Sequence, residues 1–166
     1  MIVELRAASL LDGQDIFDMI VEIGPGENGF VNRGLDMDYS GFLDFIKERM
    51  ALSRGEDLPL NYVPQTNYWL LIDGYPVGIG KLRHHLNDTL RKSGGHIGYS
   101  IRPSERGKGY GTLILSELLK KAVDMGLKEV LLTCNLNNAP SRGAIEANKG
   151  VLSGIEGGSC NYWITL

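Results

Sequence analysis

The sequence predicts a mixed α/β domain, and three features carry that prediction. Apolar residues fall at helical spacing in some stretches and alternate with polar ones in others. Asp73–Gly74 sits between two apolar runs, a hairpin signal. From residue 95 onward a strand, a long helix and another strand follow in turn, implying a parallel pair joined by a right-handed crossover. The expected order is β-α-α-β-β-β-α-β-α-β-β, without internal repeat or linker.

Val3, Leu5 and Ala7 alternate with polar neighbours and form the first strand. Asp12 is the expected cap of a helix whose apolar face holds Ile16, Phe17, Ile20 and Ile23. Residues 24–34 hold four glycines and Pro25 and form a loop. Asp38 or Ser40 caps a second helix, with Phe42, Phe45, Ile46 and Met50 inward. Residues 54–66 are irregular, and strands over 67–72 and 77–83 flank the Asp73–Gly74 turn. After a loop over 86–94, a strand over 95–102 ends at Pro103. A long helix over 109–125 places Leu113, Ile114, Leu118, Ala122 and Val123 on one face, and Gly126 ends it. Residues 129–133 form an apolar, β-branched strand. Asn138 caps a fourth helix with Pro140 in its first turn and Ala144 and Ile145 inward. Residues 151–156 and 161–165 close the chain as a hairpin about Gly157–Gly158.

Composition narrows the function classes. The chain has 166 residues, 43% of them hydrophobic and 22% charged, so one globular domain with a real core is expected. Its 22 glycines are nearly double the usual share, yet no Gly-X-Y period accompanies them, which excludes collagen. No apolar run is long enough to span a bilayer, and the first residues lack the pattern of a secretory signal. Cys134 and Cys160 make neither a disulfide framework nor a metal cluster, so a cytoplasmic protein without a structural metal is expected. The net charge of −3 conceals an asymmetry. Residues 1–66 hold twelve acids against five bases, whereas residues 81–128 hold ten bases against four acids. A basic middle suits an anionic ligand, and an acidic first part suits a cationic partner.

Chemistry concentrates in Arg106-Gly107-Lys108-Gly109-Tyr110-Gly111-Thr112, between a strand and a helix. Alternate glycines leave the backbone open, so successive N–H groups can face one anion. The helix N-terminus and the charges of Arg106 and Lys108 add to that field. Other phosphate loops do not fit. The one lysine followed by Ser or Thr, Lys92, is preceded by Arg91 and not by the glycine that a Walker A loop requires, and Thr112 stands where a dinucleotide or kinase fingerprint needs glycine.

Arg106, Gly109 and Gly111 do fill the fixed places of [Gln/Arg]-x-x-Gly-x-[Gly/Ala]. With Asn138 and Ser141 opening the next helix, the segment resembles the coenzyme A loop of the GNAT (GCN5-related N-acetyltransferase) superfamily. The resemblance covers residues 65–166 well and the first part only in element order. Residues 95–103 and Tyr162-Trp163-Ile164 are also similar to a group of bacterial predicted acetyltransferases. It implies a mostly antiparallel sheet of about seven strands with a splayed parallel central pair and four helices, in a single domain. Residues 1–66 would form mainly the acceptor side, and residues 67–166 the sheet and the coenzyme A-binding core.

The resemblance further implies acetyl-CoA as cofactor, lying between the strands 95–102 and 129–134. Tyr99 and Ile101 would be nearest to it, Arg106, Gly107, Lys108, Gly109, Tyr110, Gly111 and Thr112 would hold its pyrophosphate, and Asn138 and Ser141 would line its pantetheine arm. Acetyl would pass directly to a primary amine of a small molecule or peptide in a ternary complex. His96 stands near the place of family bases, and an imidazole titrates in the range a base needs. The family's proton-donating tyrosine is replaced by Ile145, leaving Tyr99, Tyr162 and Cys134 as candidate acids. Glu22, His84 and His85 are the candidate acceptor contacts. The missing tyrosine keeps a second reading open, a non-catalytic acyl-CoA-binding module. Neither nucleic acid nor membrane is an expected partner, and a homodimer is compatible with the sequence.

Overall fold

Seven strands arrange themselves in two antiparallel sheets in a computed structural model that describes residues 1–34 and 36–166. The first sheet has the order β1 (Val3–Ala7), β2 (Gln65–Ile72), β3 (Tyr75–Arg83), β4 (Ile97–Ile101). The second has the order β5 (Glu129–Asn135), β7 (Ser159–Thr165), β6 (Val151–Glu156). The expected central pair has splayed so far that β4 and β5 belong to different sheets, and no parallel ladder forms among the described residues. What joins them lies just before β4. Gly95 bridges Leu132, the His96 amide donates to the Leu131 carbonyl at 2.7 Å, and the Gly94 amide donates to Thr133 Oγ1 at 2.8 Å. Gly95 has φ +59°, and a Cβ there would stand 2.3 Å from the Leu131 carbonyl oxygen, so only glycine permits the junction.

The hairpin of β2 and β3 turns on Asp73 and Gly74, both at positive φ, as the dipeptide predicts. A register shift at Leu70/Leu71 then sets which side chains share a face. Leu70 and Leu82 face α4 (Tyr110–Asp124), whose Ile114, Leu115 and Leu118 are fully buried. Gly80 lets that helix sit close, since a Cβ there would meet Leu118 at 2.9 Å. Trp69, Leu71 and Ile79 face the other way, onto Ile16, Met19 and Ile20 of α1 (Gln14–Ile23) and Ile46 of α2 (Phe42–Ser53). Each buried aliphatic side chain contributes about 1.5–3 kcal/mol to holding these layers together.

Several sequence expectations need correction. Asp12 does not cap α1, because Gly13 holds that position. The Asp12 carboxylate instead accepts from Trp69 Nε1 at 2.7 Å, the Ser9 amide at 2.8 Å and Arg6 at 3.0 Å, which fastens the chain before α1 to the sheet. The loop at 86–94 contains a fifth helix, α3 (Asp88–Lys92), capped by Asn87, whose side chain accepts from the Leu90 amide. Its five residues are too short to show a period. On α4 the buried stripe includes Leu115, and Val123 is exposed. Asp38 caps a short 3₁₀ turn, Tyr39–Gly41, ahead of α2 rather than α2 itself. Asn138 caps α5 (Ala139–Ala147) as expected.

Candidate functional site

Where the two sheets part, a cleft of about 750 Å³ opens, of the size that holds cofactors and small ligands. Its two halves are built differently.

One half is made largely of backbone. Arg106, Gly107, Gly109, Tyr110, Gly111 and Thr112 line it. Gly109 begins α4 in the left-handed region at φ +81°, with no side-chain cap and no acid in the first turn. The first amides of α4 therefore lack intrahelical partners and face outward along the helix axis, a ready anion receptor. Arg106 stands beside them, its Nε donating to the Ile101 carbonyl at 3.0 Å and its guanidinium meeting Glu27 at 2.7 Å. Lys108 is turned away and pairs with Glu105 at 2.7 Å, so it does not line the cleft as the sequence led us to expect.

Ile101, Tyr99, Asn138, Ser141 and Cys134 line the floor of the same half. Tyr99 Oη and Ser141 Oγ lie 3.3 Å apart, joining β4 to the first turn of α5. Burial raises the Tyr99 phenol above its ordinary pKa, and it raises the Cys134 thiol likewise. The Tyr99 phenol and the Cys134 thiol therefore hold their protons at neutral pH. This fits a pyrophosphate-bearing cofactor whose phosphates sit at the α4 N-terminus and whose arm follows β4 toward α5. Tyr162 is withdrawn from it, since its hydroxyl is held between Arg142 and Glu146.

The other half is made of side chains from scattered elements: Arg33, Arg49, Tyr62, Lys81 and Arg83, with Phe30. Lys81 is 7% exposed, its Nζ donating to the Val31 carbonyl and lying 4.4 Å from the Phe30 ring centre. Burial first, then Arg83, Arg49 and Arg33, push its pKa down to about 7. Lys81 pairs in register with Gly98 of β4, the strand beside the cofactor half. The sequence reading missed these residues, although two left a trace. Lys81 interrupts an apolar strand, and Arg49 falls on the buried stripe of α2 with Phe42 and Ile46.

Four expected site residues stand elsewhere. His96, 5% exposed, lines a separate recess of about 320 Å³ with His85, Arg91 and Trp163. Its Nδ1 accepts the Leu131 amide at 2.9 Å, which fixes the neutral tautomer with the proton on Nε2 and leaves no lone pair for a base. Burial, then Arg91, Arg83 and His85, lower its pKa to about 4. Its role is to stitch the sheets. His84 Nε2 bonds Thr66 Oγ1 at 2.8 Å, and exposed His85 contacts the Leu86 carbonyl, both off the cleft. Glu22 holds Arg102 and the Ser104 amide, tying α1 to the segment after β4. Burial by itself would raise the Glu22 pKa, but hydrogen bonds from Ser104 and Arg102 outweigh it and bring it to about 2.

Comparison with known proteins places this geometry among acetyl-transferring folds. The sequence model of the Acetyltransferase (GNAT) family matches residues 38–150. No curated protein matches the sequence. The fold is similar to that of RimL, the ribosomal L7/L12 alpha-N-protein acetyltransferase, solved with coenzyme A in a cysteine disulfide (TM-score 0.73, 15% identity, 99% of this chain and 94% of that one). It is similar to the microcin C7 self-immunity acetyltransferase MccE, solved with acetyl-CoA and AMP (TM-score 0.70, 17% identity, 99% and 92%). A third likeness is to the Campylobacter jejuni N-acetyltransferase PseH with acetyl coenzyme A (TM-score 0.66, 11% identity, 99% of each chain). At these identities the likeness is one of fold.

Proposed function

The chain belongs to the GNAT acetyltransferase family, and from that premise we propose that it moves an acetyl group from acetyl-CoA to a primary amine of a small molecule or peptide, by direct transfer with both bound at once. The observation that carries this reading is the uncapped, glycine-flanked start of α4 in a cleft that also holds a buried lysine beside β4.

Acetyl-CoA bound in the backbone half supplies an activated acetyl thioester. Gly107, Gly109, Tyr110, Gly111 and Thr112 present the backbone that receives the pyrophosphate, with Arg106 alongside. Tyr99, Ile101, Asn138 and Ser141 line the arm, the Asn138 side chain doubling as the α5 cap through its bond from the Ser141 amide. Lys81 replaces His96 as the proton acceptor for the incoming ammonium. A lysine brought to about pKa 7 is half neutral at physiological pH, so its Nζ can take a proton and return it. Tyr99 Oη and Ser141 Oγ hold the proton for the leaving sulfur, which makes up for Ile145 at the family's tyrosine position. That pair supports catalysis over an acyl-CoA-binding module without turnover.

We extend the reading to one domain, with residues 1–66 mainly on the acceptor side and residues 67–166 forming the sheet and cofactor core. It works in the cytoplasm without nucleic-acid or membrane partners. Among the described residues no helix is long and apolar enough to cross a membrane. A homodimer is part of the same reading, supported by β6, an edge strand exposed at every residue that shows Val151, Leu152 and Ile155. The test is release of free thiol from acetyl-CoA over a panel of amines. At least one amine raises it well above hydrolysis. Tight acetyl-CoA binding with no amine-dependent release contradicts transfer.

A further inference from the structure

The acceptor half has a charge that the acidic first part of the sequence hides. Residues 1–66 carry a large acid excess, yet the residues they send to the cleft include Arg33 and Arg49. Among the described residues only Glu27 and Glu105 bring carboxylates to the cleft wall, and these pair with Arg106 and Lys108. Arg33, Arg49 and Arg83 have no carboxylate partner on the cleft wall, and the charges of all three bear on Lys81.

Arg49 is the sharpest case. It is 9% exposed, and its Nε is buried with no hydrogen-bond partner. Its guanidinium lies 5.0 Å from the Phe45 ring centre, and the nearest acid is Glu48 at 3.5 Å, mostly in solvent and off the cleft. Arg83 uses one NH group to hold the Gly94 and Gly95 carbonyls, and Arg33 donates to Tyr62 Oη at 3.0 Å. Arg49 is buried with an orphaned donor and Arg83 is half-buried beside it on the cleft wall, an arrangement that is costly unless an anion completes it, with exposed Arg33 adding a third guanidinium at the rim. Guanidinium forks match carboxylate and phosphate groups in particular.

The geometry points to an acceptor that carries its own anion: a primary amine bearing a carboxylate or a phosphate, whose anionic group docks on Arg49, Arg33 and Arg83 while its amine meets Lys81. This replaces the cationic acceptor expected from segment charge, and it rests on the acetyltransferase reading. Arg83 lies two residues from Lys81 on the same face of β3, a spacing of about 7 Å. A short linker between amine and anion spans that distance.

The test begins with acetyl-CoA binding by calorimetry, because its absence overturns the transferase reading together with this one. Matched amines are then titrated into the protein saturated with coenzyme A and assayed with acetyl-CoA. O-phosphoethanolamine is set against ethanolamine, β-alanine against β-alaninamide, and spermidine serves as the cationic control. The anionic member of at least one pair binds and is acetylated with at least tenfold preference, and the pair that responds identifies phosphate or carboxylate. In Arg49→Met, and independently in exposed Arg33→Gln, KM for that amine rises about tenfold while acetyl-CoA affinity stays within twofold. Thermal melts confirm that both variants fold. Acetyl-CoA binding with neutral amines or spermidine equal or preferred overturns the anionic acceptor and leaves the transferase reading standing. A preference unaltered in both arginine variants overturns it as well.

Discussion

The two halves of the cleft solve recognition in opposite ways. The cofactor half uses main-chain amides from one contiguous stretch, set by glycines at the start of α4. The acceptor half uses long cationic side chains brought from the 24–34 loop, α2 and β3. Backbone recognition is fixed once the helix forms, whereas side-chain recognition can change one residue at a time on an unchanged frame. On the proposed reading, the donor would meet a fixed backbone and the acceptor a set of side chains open to variation.

The sharpest way to break this contrast is at Lys81, where the halves meet. Lys81→Met lowers kcat/KM about 10²–10³-fold, the usual worth of a positioned base. It also stabilises the fold near neutral pH by about 1–3 kcal/mol, because a charge disfavoured by burial is gone. In the wild type the unfolded chain holds the lysine proton up to about 10.5 and the native chain only up to about 7. Stability conferred relative to Lys81→Met therefore rises as pH rises from about 7 to 10.5. Chemical denaturation across that range checks the sign. Wild-type kcat/KM rises with pH through about 7, and a profile without that limb removes Lys81 from the mechanism.

On the other side, Gly109→Val forces a β-branched residue into φ +81° and crowds the anion receptor. Acetyl-CoA affinity falls about 10- to 100-fold by calorimetry, with amine binding retained, as separate halves require. Tyr99→Phe has a smaller effect, a kcat loss of about three- to tenfold, because Ser141 keeps a hydroxyl in place. The smallest effect on activity belongs to His96→Asn, since the residue lies off the cleft. Its signature is acid stability. The unfolded imidazole protonates near 6.5 and the native one only near 4, so wild-type stability falls as pH drops through that window. His96→Asn flattens the fall, and a large loss of kcat in that variant restores His96 to the chemistry.

The same contrast explains what the sequence disclosed. Arg106 to Thr112 was legible because a backbone receptor needs consecutive residues, and glycine spacing with a following helix marks it. The seven strands and the Asp73–Gly74 hairpin were legible for the same local reasons. The acceptor half was not, since Arg33, Arg49 and Arg83 converge only through the packing of α2 on β2 and β3. Segment charge did not foretell the charge of the cleft wall, because most acids of residues 1–66 face solvent or, like Asp12 and Glu22, are tied up in hydrogen bonds elsewhere. His96 misled because a histidine near the expected position of a base says nothing about which nitrogen is free. Its bond from Leu131 depends on the β4–β5 junction, a contact between residues 35 positions apart.

If donor and acceptor occupy separate halves of one cleft, an amide chemical-shift map resolves the two. Saturating the labelled protein with coenzyme A should shift Gly107, Gly109, Gly111, Thr112, Tyr99 and Ser141 and leave Arg49 and Arg33 in place. A subsequent addition of the preferred amine should then shift Arg49, Arg33 and Lys81. Shifts from coenzyme A centred on Arg49 and Arg33, or on the His96 recess, with the Gly107–Thr112 amides unmoved, would contradict the account.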